Sequence, residues 1–337
     1  MELVFLLKEN QQLSKLKIMY GPYGLQESLY WLRKYFRGPA DTHPMAAPFP
    51  PPRTVLCEFE PRFDIVFAGD LMSLGNCNWQ VGPRLNEWVS GAKYLVVNLE
   101  APITSNKAYF HLRQFNEPRV LASLARLKEP ECIFLSVANN HVNDFGPDGL
   151  ASCVERVKAE GFNVFGTSAS PYVMVADRVL LYGATQWTNR SAEGLSWLGP
   201  NLKPPDRKVD LRLLFIHWGY EFELFPRPEQ VNWAKNFLKE WGGIIGHHSH
   251  CPQPISFLKD RETLKPVAYS LGNFAIAYRK EVLNYGLTVK LSIGTSSHNS
   301  SQSAPLIIGA VEWSFLKIQK QAPTMVTVEL CDACPFF

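Results

Sequence analysis

The sequence lacks the long apolar segments that mark membrane-spanning or secreted proteins. A membrane-spanning helix needs roughly 20 apolar residues in succession, and the longer apolar runs, residues 172–176 and 179–184, are far shorter. Residues 1–8 are mostly apolar, but they include Glu2 and lack the basic start and small-residue cleavage site of a secretory leader. We therefore expect no membrane span and no signal peptide, which leaves the compartment open between the cytoplasm and the cell envelope.

A strong excess of one charge is also lacking. Lys and Arg number 34 and Asp and Glu number 31, which gives a formal net charge of +3. No stripe of basic residues with interleaved aromatic residues occurs along the chain. Proteins that bind nucleic acid through its phosphates concentrate positive charge on one surface, so we expect no nucleic-acid partner.

The cysteines do not form a disulfide framework. There are seven of them, an odd number without regular spacing, which favours reduced thiols. Cys331 and Cys334 form a C-x-x-C motif at the end of the sequence, but no second pair accompanies it. A structural or incidental role for this motif is therefore favoured over a zinc or redox role.

From about residue 62 onward, short apolar runs alternate with helix-like stretches. Near-continuous apolar runs predict strands that are buried on both faces. The intervening stretches have apolar residues at helical spacing, as at Leu150, Cys153, Val154 and Val157. This alternation predicts an α/β protein with helices on both faces of the sheet. The predicted strands are residues 64–68, 94–99, 133–138, 163–165, 179–182, 211–216, 243–245 and 267–271, and the predicted helices are residues 118–127, 149–160 and 228–241.

The sequence before this alternation has a different character. Residues 25–36 are helix-like and rich in Leu, Trp, Tyr and Phe, and a Pro-rich linker follows at residues 44–52. We interpret residues 1–60 as an appendage whose aromatic stretch packs on the body of the protein or makes external contacts, and packing is favoured over a membrane contact. The main domain is then residues 61–330, followed by a short tail at residues 331–337.

A polar stretch interrupts the last part of the main domain. Residues 294–305 are rich in Ser and separate two strand-like runs, residues 287–293 and 306–318. Such composition is typical of a flexible loop. We predict a long hairpin loop within the same domain.

Polar side chains gather where the predicted strands end. Ligands of an α/β sheet bind beyond the carboxyl ends of its strands, so the residues at these positions indicate function. Alternate residues of an extended segment point the same way, so His248 and His250 can face one site. Six strand ends carry carboxylate, amide or imidazole groups: Gly69-Asp70, Asn98-Leu99-Glu100, Asn139-Asn140-His141, His217-Trp218-Gly219, His247-His248-Ser249-His250 and Gly272-Asn273.

Taken singly, most of these residues have an ordinary structural explanation. An aspartate that follows a glycine, as Asp70 does, is common in turns. A lone histidine such as His217 is more often a hydrogen-bonded core or surface residue than a metal ligand. Together, however, they form a mixed oxygen and nitrogen ligand set, which suits Zn, Mn, Fe or similar divalent metals and is not a thiolate site. Ligands from many strands suggest two divalent ions about 3.5–4 Å apart that share a carboxylate. Such a pair lowers the pKa of a bridging water, so phosphoester hydrolysis is the expected chemistry.

Six motifs follow one another along the chain: Gly69-Asp70-Leu71-Met72, Asn98-Leu99-Glu100, Ala138-Asn139-Asn140-His141-x-x-Asp144-x-Gly146, His217-Trp218-Gly219-x-Glu221, Gly246-His247-His248-x-His250 and Tyr269-Ser270-Leu271-Gly272-Asn273-Phe274. In this order they resemble the bacterial CapA family of capsule or poly-γ-glutamate synthesis proteins, which looks like a branch of the calcineurin-like metallophosphatases. The resemblance covers about residues 62–280 and does not explain residues 1–60 or the tail after 290. It implies a four-layer α/β sandwich of metallophosphatase type, with two mixed sheets flanked by helices.

The resemblance also implies a role for each site residue. Asp70 and His250 would ligate a first metal, and Glu100 would bridge to a second. His141 would be the general acid or transition-state donor, held by Asp144, since an imidazole needs a partner that fixes its tautomer. The ligands of the second metal would be Asn140, His217 and His248.

The sequence departs from the wider phosphatase pattern at the first motif. That pattern is Asp-x-His, whereas this chain has Asp70-Leu71-Met72, so one imidazole of the first metal is missing. Three explanations remain open. The first metal binds more weakly, another group such as His247 or Glu221 replaces the imidazole, or only one metal binds tightly.

Three functions are compatible with these motifs. The first is a metal-dependent phosphoester hydrolase. The second is an enzyme that hydrolyses or transfers an amide bond of an anionic polymer such as poly-γ-glutamate. The third is a non-enzymatic partner of a capsule-synthesis membrane complex, with a vestigial metal site. The basic residues that could contact a polyanion are scattered in sequence, and a solvated surface explains them equally well: Arg113, Arg119, Arg227, Arg279 and Lys280.

Overall fold

The fold is seen in a computed structural model that describes most of the chain. It describes residues 22–40, 49–75, 77–105, 113–261, 263–277, 280–298, 301, 303–322 and 324–337. The apolar start at residues 1–8, residues 44–48 of the Pro-rich linker, and Arg279 lie outside these ranges.

Within the described residues, the chain forms five α-helices and sixteen strands. Two short 3-10 helices, Pro130–Cys132 and Glu281–Asn284, connect longer elements. The α-helices are α1 (Leu25–Arg37), α2 (Pro83–Ser90), α3 (Arg119–Leu124), α4 (Gly146–Ala159) and α5 (Pro228–Phe237). The strands are β1 (Arg53–Val55), β2 (Phe59–Leu71), β3 (Asn78–Val81), β4 (Tyr94–Asn98), β5 (Ile133–Ser136), β6 (Asn163–Phe165), β7 (Tyr172–Val175), β8 (Val179–Thr185), β9 (Leu211–His217), β10 (Gly243–His247), β11 (Ile255–Asp260), β12 (Thr263–Ala268), β13 (Asn273–Ala275), β14 (Tyr285–Ser296), β15 (Leu306–Ala322) and β16 (Met325–Cys331).

The strands form two mixed sheets. The first has the order β3-β16-β15-β14-β2-β4-β5-β6, with β1 paired to β15 and β13 paired to β2. Its strands β2, β4, β5 and β6 are parallel, and β14 is antiparallel to β2. The second sheet has the order β11-β12-β10-β9-β8-β7, with parallel strands at its centre and an antiparallel strand at each edge.

The alternation of side chains along each strand separates the hydrophobic core into three layers. In β2, Ile65 and Phe67 pack into the core between the two sheets, where they join residues of the second sheet such as Phe215. Their neighbour Val66 lies on the opposite face, under α2, α3 and α4. The outer face of the second sheet packs in the same way against α5, through residues such as Val231. The predicted four-layer α/β sandwich, with two mixed sheets flanked by helices, is therefore confirmed.

Each predicted strand and helix of the main domain is present, with differences at the ends. The structure extends β2 back to Phe59, five residues before the predicted start at residue 64. Residues 60–62 are exposed, so they lack the apolar signal and form a strand because they pair with β14. The polar stretch at residues 294–305 connects β14 to its antiparallel partner β15, as expected of a hairpin.

The described part of residues 1–60 is attached to the body at two places. Strand β1 pairs with β15, and α1 lies against the segment after β9 through the ion pair of Lys34 with Glu223. The aromatic stretch of α1 is partly packed, as expected, although Leu29 and Phe36 are exposed. None of the described helices has the length and apolar character needed to cross a bilayer. The division into residues 1–60, 61–330 and 331–337 stays a prediction.

Candidate metal centre

The polar strand ends converge at one edge of the two sheets. The first sheet supplies Asp70 from β2 and Glu100 from just beyond β4, and the second supplies His217 from the end of β9. Parallel strands present their carboxyl ends at the same edge, so these side chains meet although they are far apart in sequence. All six predicted ligands are buried: Asp70, Glu100, Asn140, His217, His248 and His250.

The first potential metal site consists of Asp70, Glu100 and His250. The ligand atoms of these three residues lie within 4.8 Å of one another. Nδ1 of His250 is 3.2 Å from Oδ2 of Asp70, and its Nε2 is 3.8 Å from Oε1 of Glu100. The structure therefore brings together the residues that the resemblance assigned to the first metal.

A second set consists of Glu100, His217 and His248, whose ligand atoms also lie within 4.8 Å of one another. Nε2 of His217 is 3.7 Å from Oε1 of Glu100 and 2.8 Å from Oδ1 of Asn140. Glu100 belongs to both sets. That is the position expected of a carboxylate shared by two ions.

His247 lies beside Asp70, the carboxylate of the first motif. Its Nδ1 is 3.5 Å from Oδ1 of Asp70 and 2.7 Å from Nδ1 of His217, and these three residues form a third set with metal-ligand spacing. The other proposed substitute, Glu221, accepts a hydrogen bond from the indole N–H of Trp31. Of the two substitutes, the geometry favours His247.

The carboxylate of Glu100 is the strongest sign that the site accommodates cations. Both of its oxygens are buried and have no hydrogen-bond partner among the residues that the structure describes. Burial, together with the negative charge of Asp70, raises the pKa of Glu100 well above its ordinary value. A buried carboxylate without donors is costly, and divalent cations at this position would remove that cost. The donor set and the unpartnered oxygens thus fit bound metal.

Asp70, in contrast, is held by several donors. Its Oδ1 accepts a hydrogen bond of 2.8 Å from the amide of Asn98, and its Oδ2 accepts one of 3.2 Å from the backbone N–H of His248. Burial opposes ionisation of Asp70, but the hydrogen bond and charge of His250 outweigh it, with help from His247 and Asn98. The pKa of Asp70 is consequently lowered to about 2, so this carboxylate is ionised and ready to bind a cation.

The imidazoles of the centre differ in their protonation. Burial lowers the pKa of His217 and His248 well below the ordinary value and that of His247 to about 4. Burial acts in the same direction on His250, but its hydrogen bond to Asp70, the negative charges of Glu221 and Asp70, and its hydrogen bond to Asn273 together outweigh burial and raise the pKa. Three of the four rings are therefore neutral at pH 7, which is the form that binds metal.

His141 lies at the accessible side of the centre. Its Nδ1 is 2.8 Å from Oδ2 of Asp144, as the resemblance implies. The same carboxylate oxygen accepts a hydrogen bond from the backbone N–H of Gln114. The His141 side chain is 13% exposed, whereas that of His217 is fully buried. The ring is thus oriented by Asp144 and partly exposed.

The backbone around the histidine cluster adopts uncommon conformations. His248 has a φ of 105° and His250 a φ of 57°, a region that residues other than glycine rarely adopt and that is concentrated at functional sites. Gly246, two residues before His248, lies so close to the segment after β12 that a Cβ there would overlap the carbonyl oxygen of Tyr269. The tight packing holds the strained backbone in place.

Four residues of the centre were not given a role from sequence. Asn98 joins Asp70 to Asn139 through hydrogen bonds. Oδ1 of Asn273 contacts Nδ1 of the His250 ring, and the amide N–H of Asn273 donates a hydrogen bond to the carbonyl oxygen of His250. Asn189 contacts the ring of His141 at 3.2 Å. The first two belong to the strand-end motifs and the third follows β8 by four residues, so a strand-end criterion could have found them.

The fourth such residue, Tyr23, precedes α1 and carried no sequence signal. Its hydroxyl is 2.7 Å from Nε2 of His248 and accepts a hydrogen bond from the backbone N–H of Glu221. The ring of Tyr23 contacts Trp187 edge to face at 4.9 Å. Tyr23 therefore lies against the His248 side of the centre.

Two of the basic residues considered for a polyanion groove, Arg227 and Arg119, have local partners. Arg227 pairs with Glu27 and Glu223 and lies 3.4 Å over the ring of Tyr220. Arg119 pairs with Glu117. These contacts give both residues structural roles.

The two cysteines of the C-x-x-C motif also have a structural setting. Cys331 ends β16 and Cys334 is buried in the core between the sheets. No group with metal-ligand spacing among the described residues includes a cysteine. The motif does not form part of the candidate centre.

Sequence comparison relates the chain to proteins of capsule and polyglutamate synthesis. The model of the family described as "Bacterial capsule synthesis protein PGA_cap" matches residues 64–173 and 200–278, which together are more than half of the chain. The matched regions contain all eight predicted site residues. They are Asp70, Glu100, Asn140, His141, Asp144, His217, His248 and His250.

Two relatives illustrate the match. The chain is 26% identical over 210 residues to "PGA biosynthesis protein CapA" of Bacillus subtilis (strain 168), covering 54% of this chain and 52% of that protein. It is 24% identical over 217 residues to "Probable polyglutamine synthesis accessory protein" of Mycobacterium tuberculosis (strain CDC 1551 / Oshkosh), covering 54% of this chain and 55% of that protein. The matched region thus spans about half the length of each relative.

A solved structure with a related arrangement is the calcineurin-like phosphoesterase YfkN from Bacillus subtilis. The TM-score is 0.41 with 13% sequence identity, and the match covers 75% of this chain and 90% of that chain. A likeness at that level carries no argument about the reaction. The four-layer fold is established by the sheets and core layers described above.

Proposed function

The chain belongs to the family of bacterial capsule synthesis proteins described as PGA_cap, and from that premise we propose that it is a divalent-metal-dependent hydrolase of phosphoesters. The CapA resemblance of the six ordered motifs is confirmed by this membership. The metal requirement and the phosphoester chemistry are our proposals. We assign the reaction to the domain of residues 61–330.

The observation that carries this proposal is the buried carboxylate of Glu100, shared by two sets of potential ligands. One set adds Asp70 and His250, and the other adds His217 and His248. We propose that the centre holds two ions of Mn, Fe or Zn, with Asn140 as a further ligand of the second. Such ions act as Lewis acids that lower the pKa of water and neutralise negative charge in phosphoryl chemistry.

The residues of the chain itself would perform three tasks. The buried ligands hold the ions and exclude bulk water from the inner side of the site. Asn98 fixes the orientation of Asp70 through its amide. His141, oriented by Asp144, donates a proton to the leaving oxygen of the ester as a general acid.

The proposal is tested by metal content and hydrolysis in the natively purified full chain. We expect wild-type protein to contain close to two metal ions per chain and to hydrolyse at least one member of a panel of phosphomonoesters and phosphodiesters. Glu100→Gln and His248→Ala should lose both metal and activity. His298→Ala is the matched control, because His298 is exposed and outside the centre, and it should behave as wild type.

Two results together would refute this function. One is an absence of hydrolysis across the whole panel by protein loaded with Mn, Fe or Zn. The other is an unchanged metal content in Glu100→Gln and His248→Ala, measured by elemental analysis. Either result alone would require a revised substrate or a revised ligand set.

A second candidate function uses the same centre on an amide bond. The name of the Bacillus subtilis relative refers to PGA biosynthesis, which favours an anionic glutamate polymer as substrate, by hydrolysis or by transfer. Release of glutamate or short oligomers from poly-γ-glutamate, absent in Asp70→Asn, would favour this function. Hydrolysis of phosphoesters without action on the polymer would exclude it.

A third candidate is a non-enzymatic partner of a capsule-synthesis membrane complex. The Mycobacterium tuberculosis relative is named as an accessory protein, and the first motif lacks its imidazole. In that case, a His141→Ala variant should support normal capsule formation. Loss of capsule formation in a folded His141→Ala protein would count against an accessory role.

A further inference from the structure

We infer that Tyr23 is a positioning residue of the metal centre, whose hydroxyl holds Nε2 of His248 so that Nδ1 of the same ring faces a metal ion. This inference rests on the proposed metal binding and extends it to the N-terminal segment. Tyr23 lies 225 residues from His248 in sequence, and its side chain is 3% exposed.

The two nitrogens of the His248 ring have different surroundings. Nε2 is 2.7 Å from the hydroxyl of Tyr23. Nδ1 is buried and has no hydrogen-bond partner among the described residues, although His248 has ligand spacing to Glu100 and His217. Since Nε2 is engaged, Nδ1 is the atom of this ring that remains for a cation.

The hydrogen bonding of the Tyr23 oxygen agrees with this assignment. The Tyr23 hydroxyl can both donate and accept hydrogen bonds. Its oxygen accepts one from the backbone N–H of Glu221 at 3.2 Å, and in our assignment it also accepts the N–H of Nε2 of His248. A neutral imidazole with its proton on Nε2 has its lone pair on Nδ1, and metal-binding histidines are typically held in this way through their other ring nitrogen.

The body of the protein fixes the position of Tyr23. Its ring lies between Trp187, in edge contact, and Tyr220, in a stacked contact. Helix α1, which begins two residues later, is tied down by the buried ion pair of Lys34 with Glu223 at 2.8 Å. The phenol is therefore held rigidly enough to act as a hydrogen-bond partner of His248.

The test compares Tyr23→Phe with Tyr30→Phe in the full chain. Both changes remove one phenol oxygen from the same segment, but Tyr30 lies on α1 beside Lys34 and not at the centre. Metal-free proteins are titrated with Co²⁺, and its visible absorption reports the number and geometry of ligands. We expect about 10- to 100-fold weaker binding of one ion in Tyr23→Phe, with an altered spectrum, and wild-type behaviour in Tyr30→Phe.

A second measurement reads the tautomer directly. In protein labelled with ¹⁵N-histidine, the ring shifts of His248 should show the proton on Nε2 in wild type and a mixture of tautomers in Tyr23→Phe. A purely structural role of Tyr23 would not produce this change. Should Tyr23→Phe fail to fold, the wild-type tautomer alone decides, because a proton on Nδ1 in the metal-loaded protein would overturn the inference.

The outcomes separate this inference from the proposed function. If wild-type protein binds no Co²⁺, the proposed metal centre fails, and the inference fails with it. If wild type and Tyr23→Phe bind Co²⁺ with equal affinity and equal spectra, the metal centre stands and only the role of Tyr23 is refuted.

Discussion

His141 is the predicted site residue whose side chain reaches solvent while its inner nitrogen is fixed. Nδ1 contacts the carboxylate of Asp144 at 2.8 Å, and Nε2 lies 3.5 Å from the amide nitrogen of Asn189. Asp144 itself is almost fully buried and also accepts a hydrogen bond from the backbone N–H of Gln114. The contacts of Asp144 thus favour one orientation of the His141 ring, which fits the proposed role of a proton donor.

This geometry predicts that His141→Ala lowers the turnover number by about 10²- to 10⁴-fold, the usual contribution of a general acid. Metal content should stay at the wild-type value, because His141 belongs to none of the three ligand sets. Asp144→Asn should lower turnover less, since the ring remains but loses its fixed tautomer. Steady-state kinetics and elemental analysis measure both effects. Loss of metal together with activity in His141→Ala would show that the ring is a ligand instead.

Among single residues, those of the candidate centre that lie at the ends of predicted strands could be predicted from the sequence. Asp70, Glu100 and His217 could be located because each stands at the end of an apolar run, and topology brings such ends together. Tyr23 could not be located in this way. It reaches His248 through the docking of α1 on the body, which depends on tertiary contacts such as Lys34 with Glu223.

Strand β2 positions Asp70 in the centre because its backbone lies very close to the backbone of the segment before β13. Asp70 donates its backbone N–H to the carbonyl oxygen of Gly272 at 2.9 Å. A Cβ on the preceding residue, Gly69, would overlap that same carbonyl oxygen. Glycine at position 69 is therefore needed to bring β2 against the segment before β13.

We predict that Gly69→Ala displaces Asp70 and weakens metal binding, with a loss of stability on the order of 1–3 kcal/mol from the steric overlap. Gly199→Ala is the control, because a Cβ there has no atom within 4 Å. Chemical unfolding of the metal-free proteins measures stability, and a Co²⁺ titration measures binding. Equal stability and equal affinity in the two variants would show that β2 can shift without cost.

The helices and strands could be predicted from sequence where their burial requires a run or a periodic pattern of apolar residues. Strands β4, β5 and β10 are buried along their whole length, and their apolar runs were recognised. The exposed start of β2 was not predicted, because it forms through hydrogen bonds to β14. The buried charged face of α1 was not predicted either, because ion pairs such as that of Lys34 with Glu223 hold it against the body. In α1 the inner face includes Lys34, whereas Leu25 and Leu29 are exposed, which is the reverse of the usual amphipathic pattern.

At the scale of the whole molecule, the centre joins the two sheets. Asp70 lies in a strand of the first sheet and Glu100 just after one, whereas His217 ends a strand of the second sheet and His248 and His250 follow another. Ions bound by residues of both sheets would cross-link the two sheets at one edge of the core that lies between them. A ligand that binds only the folded state stabilises it by about 2.7 kcal/mol when its concentration is 100 times its Kd. Bound metal should therefore raise the temperature of unfolding.

This stabilisation should grow as the pH rises from 6 to 8. In the metal-free protein, the pKa values of Glu100 and His250 are both raised, so each group holds a proton to a higher pH than usual. Metal binding requires the unprotonated forms and releases those protons. For each proton released, metal binding becomes more favourable by about 1.4 kcal/mol for each unit that the pH rises, as long as the pH is below the pKa of the group.

Thermal unfolding of metal-loaded and chelated protein at pH 6, 7 and 8 measures this linkage. The difference in unfolding temperature should increase with pH in wild type. In Glu100→Gln it should be smaller and depend less on pH, because the shared carboxylate and its proton are both removed. His298→Ala should follow wild type, since its ring is exposed and distant from the ligand sets. A metal-induced stabilisation that is large but independent of pH would mean that Glu100 and His250 are not the groups that bind the ions.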